Sequence, residues 1–148
     1  VTSAADMADV VKSKAAEQDI IIMTAAVADF CPSHPADEKI KKNDSSYESV
    51  IELERTEDIL SYLGAHKAKG QLICGFSMET QNMLENSKAK LAKKNADMIV
   101  ANNLKVAGAG FGTDTNVVTL ITADDCTELE IMDKSCVAAR IMDRLLKM

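Results

Sequence analysis

Asp29 and the Lys39-Ile40-Lys41-Lys42 cluster about ten residues beyond it are the side chains of this sequence best suited to a phosphorylated ligand. Asp29 closes the run Thr24-Ala25-Ala26-Val27-Ala28-Asp29-Phe30. The small residues at 25, 26 and 28 leave main-chain amides and carbonyls open to a flat ligand. The carboxylate suits sugar hydroxyls or a magnesium ion held by phosphates, and the lysines supply positive charge. The same residues also read as a strand end, a turn and solvated lysines, because a motif alone is only a hypothesis. Two further groups repeat the pattern. Phe76 follows Gly75 and could stack on a base or ribose, and Lys90 and Lys94 stand one helical turn apart.

The elements that must position these residues follow from hydrophobic patterning. Ile20-Ile21-Ile22-Met23 is an apolar run of the kind buried on both faces of a sheet. Asp29 therefore comes just after a strand's carboxyl end, where open α/β sheets place their ligand crevice. Leu72-Ile73-Cys74 predicts a second buried strand with Gly75 and Phe76 just beyond it, and Met98–Ala101 a third that ends at Asn102 and Asn103. A helix is predicted from about Thr80 to Lys94, burying Leu84 and Leu91. At 100° per residue, Lys90 and Lys94 border that stripe and Lys93 points away from it. The lysine stems can cover apolar surface while their ammonium groups reach a crevice. Cations near a helix C-terminus are also favourable without any ligand.

The rest of the chain frames these units. Ser3 with Asp6 predicts a helix N-terminus, followed by Met7, Val10, Val11 and Ala15 on one face. Residues 30 to 54 read as a polar flap containing two prolines and ending in a strand at Ser49–Glu54. Thr56 is the N-cap candidate for a short helix holding Ile59, Leu60 and Leu63, with Glu57 and Asp58 in its first turn and Gly64 or Gly70 to end it. Gly108–Gly112 lacks the spacing of a dinucleotide fingerprint and reads as a connection. Val117–Thr122 and Glu128–Met132 flank Asp124-Asp125 as an edge hairpin. A last helix starts at Asp133 or Ser135, with Val137, Ala138, Ile141 and Leu145 as its stripe. Helix–strand units followed by a hairpin predict a three-layer, Rossmann-like α/β fold with a mainly parallel central sheet.

Composition narrows the function classes. The 148 residues hold 47% hydrophobic and 27% charged side chains, as in a folded soluble domain. With no Trp and 3% aromatic residues the core must be aliphatic. A formal charge of −6 argues against a general nucleic-acid binder. Against that acidic background, Lys39, Lys41, Lys42, Lys88, Lys90, Lys93 and Lys94 are seven of the 17 basic residues. Cys31, Cys74, Cys126 and Cys136 are too widely spaced for a zinc or CxxC motif, so no metal site is expected. They read as reduced cysteines of a cytoplasmic enzyme. No apolar run is long enough to cross a membrane, and no signal sequence is evident. The chain begins at Val1 rather than Met, which suggests processing or upstream sequence.

Four ordered motifs carry a family resemblance. A-A-V-A-D-F with Pro32 and K-I-K-K, Gly75-Phe76-Ser77-Met78-Glu79-Thr80, the segment from Lys90 to Asn102, and Gly110-Phe111-Gly112 with Asn116 resemble phosphopantothenoylcysteine synthetase. This is the phosphopantothenate–cysteine ligase of coenzyme A biosynthesis. The resemblance implies that CTP, with Mg²⁺, activates 4′-phosphopantothenate as an acyl-cytidylate, which L-cysteine then converts to 4′-phosphopantothenoylcysteine. It implies a nucleotide site at Ala25, Asp29, Lys39, Glu57, Asp58, Ile59, Leu60, Phe76, Lys90 and Lys94, with Lys39 catalytic. It also implies a homodimer with flap contacts between subunits, and a fused or partner flavin-dependent decarboxylase. The family's earlier portion, with an S-S-G-x-M-G segment and an asparagine used on the acyl intermediate, has no counterpart here, so the domain reads as N-terminally incomplete. The alternatives are a nucleotide-binding fragment without ligase activity and an ATP-dependent ligase. A Rossmann oxidoreductase would need a glycine loop and acidic ribose partner that the sequence does not offer.

Overall fold

The computed structural model describes residues 1–39, 50–79, 81–103, 106, 110 and 112–148. The described elements run α1 (Ala4–Ala15), β1 (Ile20–Met23), β2 (Phe30–Pro32), β3 (Leu53–Arg55), α2 (Ile59–Ala65), β4 (Leu72–Met78) and α3 (Met83–Lys93). They continue with β5 (Met98–Asn102), β6 (Thr115–Asn116), β7 (Val118–Ile121), β8 (Cys126–Glu128), β9 (Met132–Asp133) and α4 (Lys134–Leu145).

A five-stranded sheet in the order β1-β4-β5-β7-β8 organises the fold. β1, β4 and β5 are parallel, with Met23 opposite Gly75 and Gly75 opposite Ile99. β7 pairs antiparallel with β5, and β8 closes the edge as the second strand of a hairpin. This is the expected Rossmann-like α/β arrangement with an antiparallel edge. Alternation along the strands splits the core in two. On one face, Ala8 of α1 and Ile59 and Leu63 of α2 pack on Ile73. On the other, Val137, Ile141 and Leu145 of α4 pack on Cys74, Met98, Val100, Val118 and Leu120. Cys74 is fully enclosed, and burial, with Asp97 nearby, pushes its thiol up to about 12, so it is a core residue rather than a nucleophile.

Several sequence expectations shift. α1 starts at a capping box, Ser3 Oγ accepting from Asp6 N and the Asp6 carboxylate accepting from Ser3 N, as expected. β4 does not stop at Cys74 but runs through Gly75 and Phe76 to Met78. The gap in side-chain bulk at Gly75 is filled from above by Leu60, whose Cδ2 would stand 2.6 Å from a Cβ there. α3 begins at Met83, not Thr80, and Leu84 is 46% exposed; Ser87 joins Leu91 as its buried pair. The hairpin's second strand begins at Cys126 because Thr122 and Asp125 close the turn with Thr122 N donating to Asp125 O at 2.9 Å. Met132 then leaves the main sheet to pair with Asn116. α4 starts after Asp133, which makes no side-chain cap bond, with Val137, Ile141 and Leu145 buried but Ala138 exposed.

The flap is partly visible as an antiparallel ribbon of β2 and β3, pairing Phe30 with Arg55 and Pro32 with Leu53. Its second strand starts at Leu53, so Val50 to Glu52 are not strand. Ile40, Lys41 and Lys42 lie outside the described residues, as do Thr80, Phe111 and most of Gly108–Gly112.

Candidate functional site: a cleft at the carboxyl ends of β1 and β4

A cleft of about 160 Å³ opens where β1 and β4 end and α2 begins. It is lined by Ala25, Asp29, Glu57, Asp58, Ile59, Leu60, Phe76, Lys90 and Lys94. Those are the candidates drawn from motifs, except Lys39. Lys39 is exposed on the segment beyond β2 and is not part of this wall. Met23, Val27, Ala28 and Thr56 complete the lining; of these, sequence reasoning gave a ligand-facing role only to Ala28, among the small residues of the turn. Val27 lies inside the A-A-V-A-D-F run, and Thr56 sits two positions before Asp58.

The wall is built from short, local rules. After β1 the chain turns tightly, Val27 N donating to Ala25 O at 3.1 Å. Thr56 then ties the turn to the ribbon: its N donates to Asp29 O at 3.0 Å and its hydroxyl donates to Ala28 O. That hydroxyl is thus unavailable as a helix cap, and Asp58 caps α2 instead, Oδ1 accepting from Ser61 N at 3.0 Å. Phe76 is half-buried with its side chain packed on the α4-side core. Its carbonyl accepts Lys90 Nζ at 2.9 Å.

Charge in the cleft is largely answered locally. Lys94 Nζ pairs with Asp58 Oδ2 and donates to Ser61 Oγ at 3.0 Å. Burial works to raise the Asp58 carboxyl, but Lys94 and the Ser61 N–H outweigh it and hold it below the usual range. Lys12 pairs with Glu57 and lies over the Tyr62 ring. The Glu57 contact, opposed by desolvation, raises the Lys12 ammonium. Lys90 is held by a carbonyl and has no carboxylate partner among the described residues. Lys93 is exposed and outside the cleft, in keeping with its helical direction.

Among the described residues of the cleft, one carboxylate is open to a divalent cation. Among the described residues no three His, Cys, Asp or Glu side chains group as a metal site. Asp58 and Glu57 are occupied by lysines, whereas the Asp29 carboxylate makes no bond among the described residues. That donor set fits Mg²⁺, which is commonly held by one or two carboxylates plus substrate phosphates.

The sequence pattern of the DNA/pantothenate metabolism flavoprotein C-terminal domain family matches residues 1–148. The chain is 48% identical over 146 residues to the coenzyme A biosynthesis bifunctional protein CoaBC of Bacillus subtilis, covering 98% of this chain and 35% of that protein. It is 46% identical over 147 residues to a cysteine/cysteine sulfinic acid decarboxylase from an unknown prokaryotic organism, covering 99% of this chain and 40% of that protein. The crystal structure of the C-terminal domain of a CoaBC superposes with a TM-score of 0.78 at 42% identity, covering 100% of this chain and 65% of that one. The chain therefore spans 35–40% of the length of these two curated relatives. Matched along its whole length, it belongs to the DNA/pantothenate metabolism flavoprotein C-terminal domain family.

Proposed function

We propose that this chain is the nucleotide-handling part of a CTP-dependent phosphopantothenate–cysteine ligase of coenzyme A biosynthesis, working in the cytoplasm. The observation that carries the reading is the cleft itself, where residues from four ordered sequence segments meet at the carboxyl ends of two parallel strands. Fold alone would not select a reaction.

In this reading a carboxylate oxygen of 4′-phosphopantothenate attacks the α-phosphorus of CTP. The Pα–O–Pβ bond breaks, and pyrophosphate leaves. The amine of L-cysteine then attacks the acyl carbon, the bond to CMP breaks, and the amine loses its extra proton. Lys90 and Lys94 meet phosphate charge, while the Ala25–Asp29 turn offers main-chain groups to base and sugar. Asp29 would hold Mg²⁺, which when bound neutralises phosphate charge. Alignment of carboxylate and phosphorus, with preplaced cations, is what such chemistry asks of a protein.

The site needs more than this cleft. Its volume is below the roughly 300–1,000 Å³ of pockets that enclose a small molecule. Lys39 stands away from it, and the ribbon exposes Phe30, Val50, Ile51 and Leu53. We therefore read the active form as a homodimer in which ribbons meet and Lys39 serves the partner's cleft. A flavin-dependent decarboxylase unit in the same protein or a partner fits the bifunctional relatives. The position of Lys39 outside the cleft lining favours one second reading, a nucleotide-binding unit without ligase activity of its own.

The test is pyrophosphate release from CTP and from ATP, with and without 4′-phosphopantothenate, for this chain and for an N-terminally extended protein. Release from CTP that depends on 4′-phosphopantothenate supports the ligase reading. CTP binding without release in either protein supports the binding unit, and a preference for ATP overturns the CTP assignment.

A further inference from the structure

We propose that Asp58 acts as a positioning residue, aiming Lys94 at an anionic ligand in the cleft with Ser61 as its helper, instead of contacting the ligand itself. This rests on the reading that a nucleotide occupies the cleft. Both Asp58 oxygens are already committed, Oδ1 to Ser61 N at 3.0 Å and Oδ2 to Lys94 Nζ. A carboxylate so used has little left to offer a sugar or a metal ion, and beside a polyphosphate its charge is repulsive. Asp29 differs, with an open carboxylate on the same wall.

Lys94 shows the matching half. Its side chain is only 13% exposed, whereas that of Asp58 is 52% exposed. The ammonium leaves α3 at its C-cap and spends two of its three donors on Asp58 and Ser61, at the first turn of α2. One donor remains for the cleft. A free lysine samples many rotamers, whereas this one is held before any ligand arrives. The same end of α3 also reaches the last turn of α2, where Asn95 Nδ2 donates to Gly64 O at 2.7 Å. Lys90, one turn earlier, is anchored on β4 instead. The two ammonium groups therefore reach the cleft from different walls.

Asp58→Asn separates the possibilities. Asparagine caps a helix about as well as aspartate, so α2 keeps its start. If Asp58 merely adds negative charge, its neutralisation tightens CTP binding. Positioning requires the opposite sign, about three- to tenfold weaker binding in titration calorimetry, as for one lost hydrogen bond. With Lys94 replaced by Met, adding Asp58→Asn should then weaken binding no further. A second readout needs no nucleotide. Acylation of surface amines, followed by mass spectrometry, should label Lys94 faster in Asp58→Asn and in Ser61→Ala, with Lys88 unchanged. Unaltered Lys94 labelling in folded variants overturns the proposal. If the unsubstituted chain binds no CTP, the nucleotide reading fails while labelling still decides whether Asp58 holds Lys94. Should Asp58→Asn not fold, Lys94 labelling in Ser61→Ala decides the matter by the same criterion.

Discussion

Lys90 and Lys93 are three residues apart on one helix and should behave very differently. Lys90 Nζ rests on the Phe76 carbonyl at 2.9 Å in the cleft, with no carboxylate partner among the described residues, whereas Lys93 is exposed away from it. Lys90→Ala is expected to weaken CTP binding by about tenfold or more, the scale of a hydrogen bond to a charged group, and Lys93→Ala by less than about twofold. Titration calorimetry measures both, and the Lys90 effect should shrink as salt is added. Equal effects would mean that the helix acts only through its overall charge. This distinction was legible in sequence, because 100° per residue separates the two directions. The Asp58–Lys94 pair was not, since its members are far apart in sequence and nothing local marks them as neighbours. Thr56 illustrates the same limit. It has the chemistry of an N-cap, but a tertiary bond to Ala28 O claims its hydroxyl and Asp58 takes the role.

At the scale of elements, α3 is joined to the sheet partly through polar contacts. Asn82 at its N-cap is left-handed at φ 48° and makes no side-chain cap bond, and only Ser87 and Leu91 are buried. Ser87 Oγ and Ser77 Oγ share a hydrogen bond of 2.6 Å between helix and strand. Ser87→Ala leaves the Ser77 hydroxyl enclosed without its partner, at a cost of about 1–3 kcal/mol. Replacing both serines by alanine should recover much of that loss, because both buried polar groups are then gone. Denaturant unfolding of the two single variants and the double variant checks this coupling, and simple additivity would show that the hydroxyls act independently. Sequence periodicity instead selected Leu84, because an apolar residue two turns before Leu91 fits a stripe. It had no means of showing that α3 starts at Met83 and leaves Leu84 at 46% exposure. The parallel strands were easier to read, since contact on both faces favours continuous apolar runs; β1, at the sheet's edge, is nonetheless only half-buried, with Ile20 and Ile22 packed on one face and Ile21 and Met23 on the other.

For the whole molecule, the parallel strands followed from continuous apolar runs and the flanking helices from apolar stripes at helical spacing, because each buried face must be apolar. The ribbon's place relative to the cleft did not, since exposed residues in β3 obey no such constraint. The structure leaves Lys39 off the cleft wall that Asp29 helps to form. If each cleft borrows Lys39 from a second copy, the two residues belong to different halves of one site. In the N-terminally extended protein, Lys39→Ala should slow acyl-cytidylate formation more than it weakens CTP binding, because a positioned cation stabilises charge that develops in the transition state. Single-turnover assays separate the two effects, and equal losses would assign Lys39 to nucleotide capture. Asp29→Ala should also be impaired in the homodimer. A heterodimer of the two variants contains one cleft with Asp29 from one subunit and Lys39 from the other, both unsubstituted, and a second cleft lacking both. Co-expressed and purified by two different tags, it should recover up to about half of the unsubstituted activity. Each cleft of that heterodimer would instead lack one residue if Lys39 served its own subunit, and verified heterodimers would then stay as impaired as their parents.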